Sequence, residues 1–96
     1  MKVDLNEKVA LVTGSTRGIG EAIALAFAEN GADIILNSNE PGGAAQVAAE
    51  IEKRGRKATF IQADVGNNQQ VTQMVQGAID TFGRIDILVN NAGIGA

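Results

Sequence analysis

A glycine-rich stretch near the start of the chain has the residue types and spacing of a phosphate-binding turn. Its residues are Thr13-Gly14-Ser15-Thr16-Arg17-Gly18-Ile19-Gly20, and they follow a continuous apolar run at 9–12. After them the apolar residues recur at the three- and four-residue spacing of a helix with one buried face. The first N–H groups of a helix have no partner within the helix, and the helix dipole adds partial positive charge there. Such a turn is therefore suited to an anionic phosphate.

The spacing of the glycines separates this turn from two commoner phosphate-binding motifs. The pattern Gly14-x-x-x-Gly18-x-Gly20 differs from G-x-G-x-x-G, and no Lys-Ser or Lys-Thr follows as a P-loop requires. A tight turn at Gly14 and a close approach of ligand or strand at Gly18 and Gly20 would explain the glycines. Close helix packing alone would also explain them, but the strand before and the helix after favour phosphate binding.

Alternation of strands and helices along the whole chain indicates the fold. Apolar runs predict strands at 8–13, 33–37, 57–63 and 85–89, and helical periodicity predicts helices at 17–30, 44–54 and 69–82. Strict alternation implies right-handed crossovers and a parallel sheet. We therefore predict an α/β fold, a Rossmann-type three-layer half-fold with four parallel strands in the order 3-2-1-4 and three helices. The glycine-rich turn then lies at the switch point between strands 1 and 4, where ligands bind.

Composition argues against several other classes of function. A chain of 96 residues is at most one domain, and a net charge of −3 gives no electrostatic footprint for nucleic acid or an anionic membrane. The sequence has no Cys and no His, so we expect neither a disulfide nor a zinc-type metal site. Acidic residues near the start and the lack of a long apolar run predict a cytoplasmic protein without a signal peptide or membrane span.

Three motifs in order resemble the short-chain dehydrogenase/reductase family. The stretch from Thr13 to Gly20 matches every fixed position of the family's Thr-Gly-x-x-x-Gly-x-Gly pattern. Asp64-Val65 stands after strand 3, where the family has an acidic residue that contacts adenine. Asn90-Asn91-Ala92-Gly93 resembles the family's Asn-Asn-Ala-Gly signature, which lies beside the cofactor and holds the central sheet. Each motif falls at the carboxyl end of a predicted strand.

The resemblance implies a dinucleotide site with a preference between two cofactors. An acidic residue at the end of strand 2 would favour NAD, but Asn37-Ser38-Asn39 stands there instead. Arg17 resembles the basic residue of NADP-preferring members, so we favour NADP(H), with NAD(H) as the alternative. The cofactor-binding residues implied are Gly14, Ser15, Thr16, Arg17, Gly18, Ile19, Gly20, Asn37, Ser38, Asp64, Val65, Asn91, Ala92 and Gly93.

The family's catalytic residues have no counterpart in these 96 residues. Members transfer hydride between a nicotinamide cofactor and a carbonyl or alcohol, using an Asn, a Ser and a Tyr-x-x-x-Lys motif that follow the Asn-Asn-Ala-Gly signature. The sequence has no Tyr, so no residue of it is assigned to catalysis. We therefore interpret residues 1–96 as a partial NAD(P)-binding domain, the N-terminal part of a short-chain oxidoreductase. It most resembles members that reduce 3-oxoacyl groups on a carrier protein, although sugar, steroid and polyol dehydrogenases share these motifs.

Two other interpretations fit the same residues. The chain could be a non-catalytic dinucleotide-binding module, or an inert truncated fragment. Under all three interpretations helix 3 lies alone on one face of the sheet, and strand 4 is an open edge, because one helix covers about two strands. We therefore expect self-association, or completion by a missing C-terminal half, and a parent protein that is a homo-oligomer.

Overall fold

The computed structural model describes residues 4–91 and has the predicted order of elements. The strands are β1 (Val9–Val12), β2 (Asp33–Ser38), β3 (Ala58–Gln62) and β4 (Ile87–Val89), and the helices are α1 (Gly18–Glu29), α2 (Ala44–Lys53) and α3 (Asn68–Phe82). Every boundary lies within two residues of its prediction. The predicted cofactor-binding residues Ala92 and Gly93 lie outside the described residues.

The four strands form one parallel sheet in the order β3-β2-β1-β4, which confirms the predicted fold. In the central strand Leu11 is level with Ile35 on one side and with Leu88 on the other. The chain moves outward from β1 to β3 and then returns to the opposite side of β1 to form β4. This reversal creates a switch point at the carboxyl ends of β1 and β4, next to the glycine-rich turn.

The apolar run of β1 is explained by cover on both faces of the sheet. All four of its residues are buried. Ala10 and Val12 belong to a core cluster with α1 and α2, whereas Val9 and Leu11 belong to a second cluster with α3. Successive side chains of a strand point to opposite faces, so a strand covered on both faces is apolar throughout.

The α3 side of the sheet is covered less completely than the α1 and α2 side. Among the described residues β4 pairs with β1 alone, and the side chain of Leu88 is 64% exposed. An open cavity of about 390 Å³ lies on this side, lined by Leu11, Thr13, Val65, Gly66, Val71, Met74, Val75, Leu88 and Asn90. The predicted arrangement of two helices on one face and one on the other is thus observed.

The start of β4 is fixed to β1 by a carboxylate. Asp86 Oδ2 accepts a hydrogen bond from the backbone N of Val9 at 2.8 Å, and Asp86 Oδ1 lies 2.6 Å from Arg84 Nη2. The hydrogen bond from Arg84, followed by that from Val9, lowers the pKa of Asp86 below its usual value. The backbone N of Asp86 also donates to the Val9 carbonyl at 2.9 Å, so Asp86 pairs with Val9 through one backbone and one side-chain bond, and β4 begins at Ile87.

Candidate functional site

The glycine-rich turn joins the carboxyl end of β1 to α1, and the ends of β2 and β4 flank it. Gly14 has a φ of 59°, a conformation that glycine adopts without the steric cost it has for other residues. Its N–H lies 3.3 Å from Asn37 Oδ1, and its carbonyl oxygen accepts a bond from Asn91 Nδ2 at 3.1 Å. One asparagine within β2 and one that follows β4 therefore bind the two polar groups of this one residue.

Gly20 allows α1 to start directly against the turn. A Cβ atom at Gly20 would overlap the carbonyl oxygen of Gly14 and lie 2.7 Å from Asn91 Nδ2. A residue with a side chain would have to displace backbone here, because the obstructing atoms are largely those of Gly14. The third glycine of the motif thus has a packing role that its position in the sequence predicted.

Thr13 ties the turn to the residues that follow β4. Its backbone N donates to the Val89 carbonyl at 3.0 Å, and its hydroxyl oxygen accepts from the backbone N of Asn91 at 2.9 Å. The same hydroxyl is 3.3 Å from Asn90 Oδ1. Thr13 and the first two residues of the Asn-Asn-Ala-Gly signature therefore come together, as their place at adjacent strand ends predicted.

Ser15 and Thr16 are buried in the body of the turn. The backbone N of Ser15 donates to the Asn37 carbonyl at 2.8 Å, and its Oγ accepts from the Asn37 backbone N at 2.9 Å. The Asn37 side chain is itself 1% exposed and donates to the carbonyls of Ile61 and Ala63. The structure thus places Ser15 and Asn37 together beneath the surface of the site.

The start of α1 faces solvent. Arg17, Gly18 and Ile19 are exposed, and Ile19 keeps 69% of its surface accessible. The backbone N of Glu21 donates to the Arg17 carbonyl at 3.3 Å, which is the first hydrogen bond of the helix. The N–H groups of residues 18–20 precede that bond and have no acceptor within α1. This end of the helix can therefore bind an anion that approaches the turn.

The segment between β2 and α2 forms the second wall of the site. Ser38 is half-buried and its Oγ accepts from the Glu40 backbone N at 3.2 Å, while Asn39 is exposed. A Cβ atom at Gly43 would lie 2.9 Å from the carbonyl oxygen of Thr16, so the start of α2 packs on the glycine-rich turn. The sequence did not indicate this contact, because residues 38–43 fall between a predicted strand and a predicted helix and belong to neither. The available signal was a glycine directly before a predicted helix.

Asp64 and Val65 follow β3 at the same edge of the sheet. Asp64 is exposed, its Oδ1 accepts from the Gly66 N at 2.8 Å, and its own N donates to Gln70 Oε1 at 2.8 Å. Val65 is half-buried and lines the cavity on the α3 side. Of the predicted site residues that the structure describes, all therefore lie at the carboxyl edge of the sheet, in the turn after β1 or in the first turn of α1.

The side-chain clusters and the helices of residues 4–91 were compared with the requirements for a metal site and for a membrane span. Within that range no group of three or more acidic, His or Cys side chains is placed to hold a metal ion. None of the helices in the same range has both the length and the apolar character needed to cross a membrane.

A parallel sheet with a switch point beside a glycine-rich turn defines a Rossmann-type α/β fold. The sequence model of the short chain dehydrogenase family matches residues 8–96. The chain therefore belongs to the short-chain dehydrogenase/reductase family. The members of this family are oxidoreductases, and membership implies a nicotinamide cofactor.

Individual relatives agree with this assignment. The chain is 48% identical over 91 residues to the short-chain dehydrogenase/reductase FrzI of a Cladobotryum species, covering 94% of this chain and 35% of that protein. It is equally identical, over 91 residues, to a 3-oxoacyl-(acyl-carrier-protein) reductase of Synechocystis, covering 94% of this chain and 37% of the relative. The crystal structure of a short-chain type dehydrogenase/reductase from Mycobacterium marinum superposes with a TM-score of 0.91 at 42% identity, covering 97% of this chain and 38% of that one. The chain thus spans little more than a third of the length of these relatives.

Proposed function

We propose that residues 1–96 form the NAD(P)(H)-binding portion of a short-chain oxidoreductase. The observation that carries the proposal is the exposed start of α1 behind Gly14, whose polar groups are bonded to Asn37 and Asn91. In this arrangement the N–H groups of residues 18–20 bind the pyrophosphate. Asp64 and Val65 contact the adenine, and Asn91, Ala92 and Gly93 lie beside the rest of the cofactor.

The cofactor we propose is NADP(H) in preference to NAD(H). Ser38 and Asn39 are neutral where an acidic residue would repel a 2′-phosphate. Arg17 is exposed at the start of α1, so its guanidinium is accessible to a phosphate and can bind it with two hydrogen bonds. The residue that precedes α2, Gly43, packs on the carbonyl of Thr16, which is the residue directly before Arg17.

The reaction we propose for the full-length protein is hydride transfer between the nicotinamide and a carbonyl or alcohol. The Synechocystis relative is named a 3-oxoacyl-(acyl-carrier-protein) reductase, and a 3-oxoacyl thioester is accordingly our first candidate substrate. A proton donor or acceptor for the carbonyl oxygen must then come from outside these residues, which include no Tyr and no His. The alternative is a dinucleotide-binding module that performs no chemistry of its own.

We propose further that the apolar surface beside α3 contacts the remainder of a longer protein. The exposed Leu88 and the open cavity beside it support this, as does the length of the relatives, of which the chain covers 35% and 37%. Self-association of the 96-residue chain through the same surface is the competing outcome. Sedimentation of the isolated chain at several concentrations distinguishes the two.

Fluorescence titration with NADPH, and with NADH in parallel, tests the cofactor proposal directly. The chain has no Trp, so the nicotinamide emission is free of tryptophan signal. We expect NADPH to bind more tightly, and Arg17→Ala to weaken NADPH about ten-fold more than NADH, because a hydrogen bond to a charged group contributes roughly 1.5–3 kcal/mol. Lys57→Ala is the matched control, since Lys57 is exposed and precedes β3 at the opposite edge of the sheet. A folded chain that bound neither nucleotide would refute the proposal.

A further inference from the structure

The side chain of Asn37 is fully engaged inside the protein. Its Oδ1 lies 3.3 Å from the N of Gly14, and its Nδ2 donates to the Ile61 carbonyl at 3.1 Å and the Ala63 carbonyl at 3.3 Å. With 1% of its surface exposed, this side chain has little area to offer a ligand. It joins the end of β2 to the turn that follows β1 and to the end of β3.

An amide suits this position better than any side chain of similar shape. The group must accept from one N–H and donate toward two carbonyl oxygens, and a carboxamide has both capacities. A carboxylate would set an oxygen against the carbonyls of Ile61 and Ala63, and a leucine would leave buried polar groups unpaired. The backbone of Asn37 makes three further bonds to Ser15, so one residue determines the placement of two consecutive residues of the turn.

We infer that Asn37 is a positioning residue for the dinucleotide and does not contact it. This inference rests on the proposed function. Asn37 holds Gly14 from the β2 side and Asn91 holds it from the β4 side, so the turn keeps one conformation before the ligand arrives. The start of α1 is then directed at the pyrophosphate, and binding does not have to include the entropic cost of ordering the turn.

Positioning and direct contact predict different effects on the two cofactors. The pyrophosphate is common to NADPH and NADH, so a misplaced turn weakens both by the same factor. A side chain that touched the adenosine ribose would act differently, because a carboxylate there repels the 2′-phosphate of NADPH and binds the ribose hydroxyls of NADH. The ratio of the two dissociation constants is therefore the informative quantity.

Asn37→Asp tests the inference, with Ser38→Asp as the matched variant one position along. We expect Asn37→Asp to weaken NADPH and NADH each by about ten-fold, a factor equivalent to 1.4 kcal/mol, with their ratio unchanged. Ser38→Asp, which places the same carboxylate on the half-buried next residue, should change the ratio in favour of NADH. Asn68→Asp, at the exposed start of α3, makes the same substitution away from the site and should alter neither value.

Hydrogen exchange, measured first on the unmodified chain and then on Asn37→Asp, provides a second test. The backbone amides of Gly14 and Ser15 should be protected without nucleotide, since both have acceptors on Asn37. In Asn37→Asp that protection should fall while circular dichroism still shows the helices. Rapid exchange at Gly14 in the unmodified chain, or a changed cofactor ratio in folded Asn37→Asp, would overturn the inference. If the unmodified chain bound neither nucleotide, the proposed function would be refuted, together with any positioning role within it. Protection of the Gly14 amide in that chain would show that the bond to Asn37 nevertheless forms, so the two failures are distinguishable.

Discussion

Gly20 lies against the backbone of Gly14, and no side chain fits between them. A Cβ atom at Gly20 would overlap the Gly14 carbonyl oxygen, which also accepts the hydrogen bond from Asn91. The close approach brings the first turn of α1 next to the end of β1. The two glycines, six positions apart in the sequence, therefore act as one unit in shaping the site.

Gly20→Ala should destabilise the fold and abolish nucleotide binding. The added methyl group displaces the Gly14 carbonyl, and overpacking of this kind costs about 1–3 kcal/mol of unfolding free energy. Gly77→Ala in α3 is the control, because its Cβ would meet only Ile61 Cδ1 at 3.4 Å and alanine favours a helix. Urea denaturation and NADPH titration of both variants measure the difference. Normal NADPH binding by Gly20→Ala would contradict the role assigned to this contact.

Stability should decrease at low pH partly through Asp86. Its folded-state pKa is lowered, chiefly by the hydrogen bond from Arg84, while an unperturbed Asp titrates at about 3.9. The contribution is therefore complete above the unfolded-state value and is lost as pH falls through the folded-state pKa. We expect Asp86→Asn to flatten the fall in unfolding free energy below about pH 4, as followed by urea denaturation at several pH values. Glu52→Gln, at an exposed position of α2, is the control variant. An equal change in the pH dependence of unfolding free energy in both variants would contradict a specific role for Asp86.

Asn67 should contribute to stability as the N-cap of α3. Its side-chain oxygen accepts from the backbone N of Gln70 at 3.1 Å and satisfies one of the unpaired donors of the first turn. Asn67→Ala should cost about 1 kcal/mol. Asn68→Ala makes the same substitution at the first helical position, where it should be neutral or slightly favourable. Thermal unfolding measures both variants. Equal losses of stability would mean that capping by the Asn67 side chain does not stabilise the helix.

Leu88 should govern the association of the isolated chain. Its exposed side chain lies on β4, beside the open cavity. Among the described residues, β4 is an edge strand that pairs with β1 alone. If copies of the 96-residue chain associate through this surface, Leu88→Thr should shift the equilibrium toward monomer, because it removes apolar area and keeps a residue suited to a strand. Sedimentation equilibrium measures the shift. If the unmodified chain is monomeric, self-association is excluded, and the proposal that the remainder of a longer protein covers this apolar surface stands.

Much of the fold was predictable because the signals for its elements are local. The continuous apolar run of β1 indicated a strand buried on both faces, and alternation with helices then led to the order of the sheet. The start of β4 was predicted less accurately. Residues 85 and 86 were predicted as strand, but Asp86 binds the Val9 N through its side chain, a contact between residues 77 positions apart. Periodicity does not record such a pairing.

The sequence by itself determined where the candidate site lies, since motifs at the ends of parallel strands must meet at one edge of the sheet. Only the tertiary structure decided what each side chain does there. Asn37 and Ser38 are neighbours with similar polarity, yet alternation along β2 sends them to opposite faces. Asn37 is buried by the turn after β1 and the end of β3, whereas Ser38 stays half-buried and accepts a bond from the backbone N of Glu40. The neighbours that decide this come from distant parts of the chain, and they meet only once the sheet has formed.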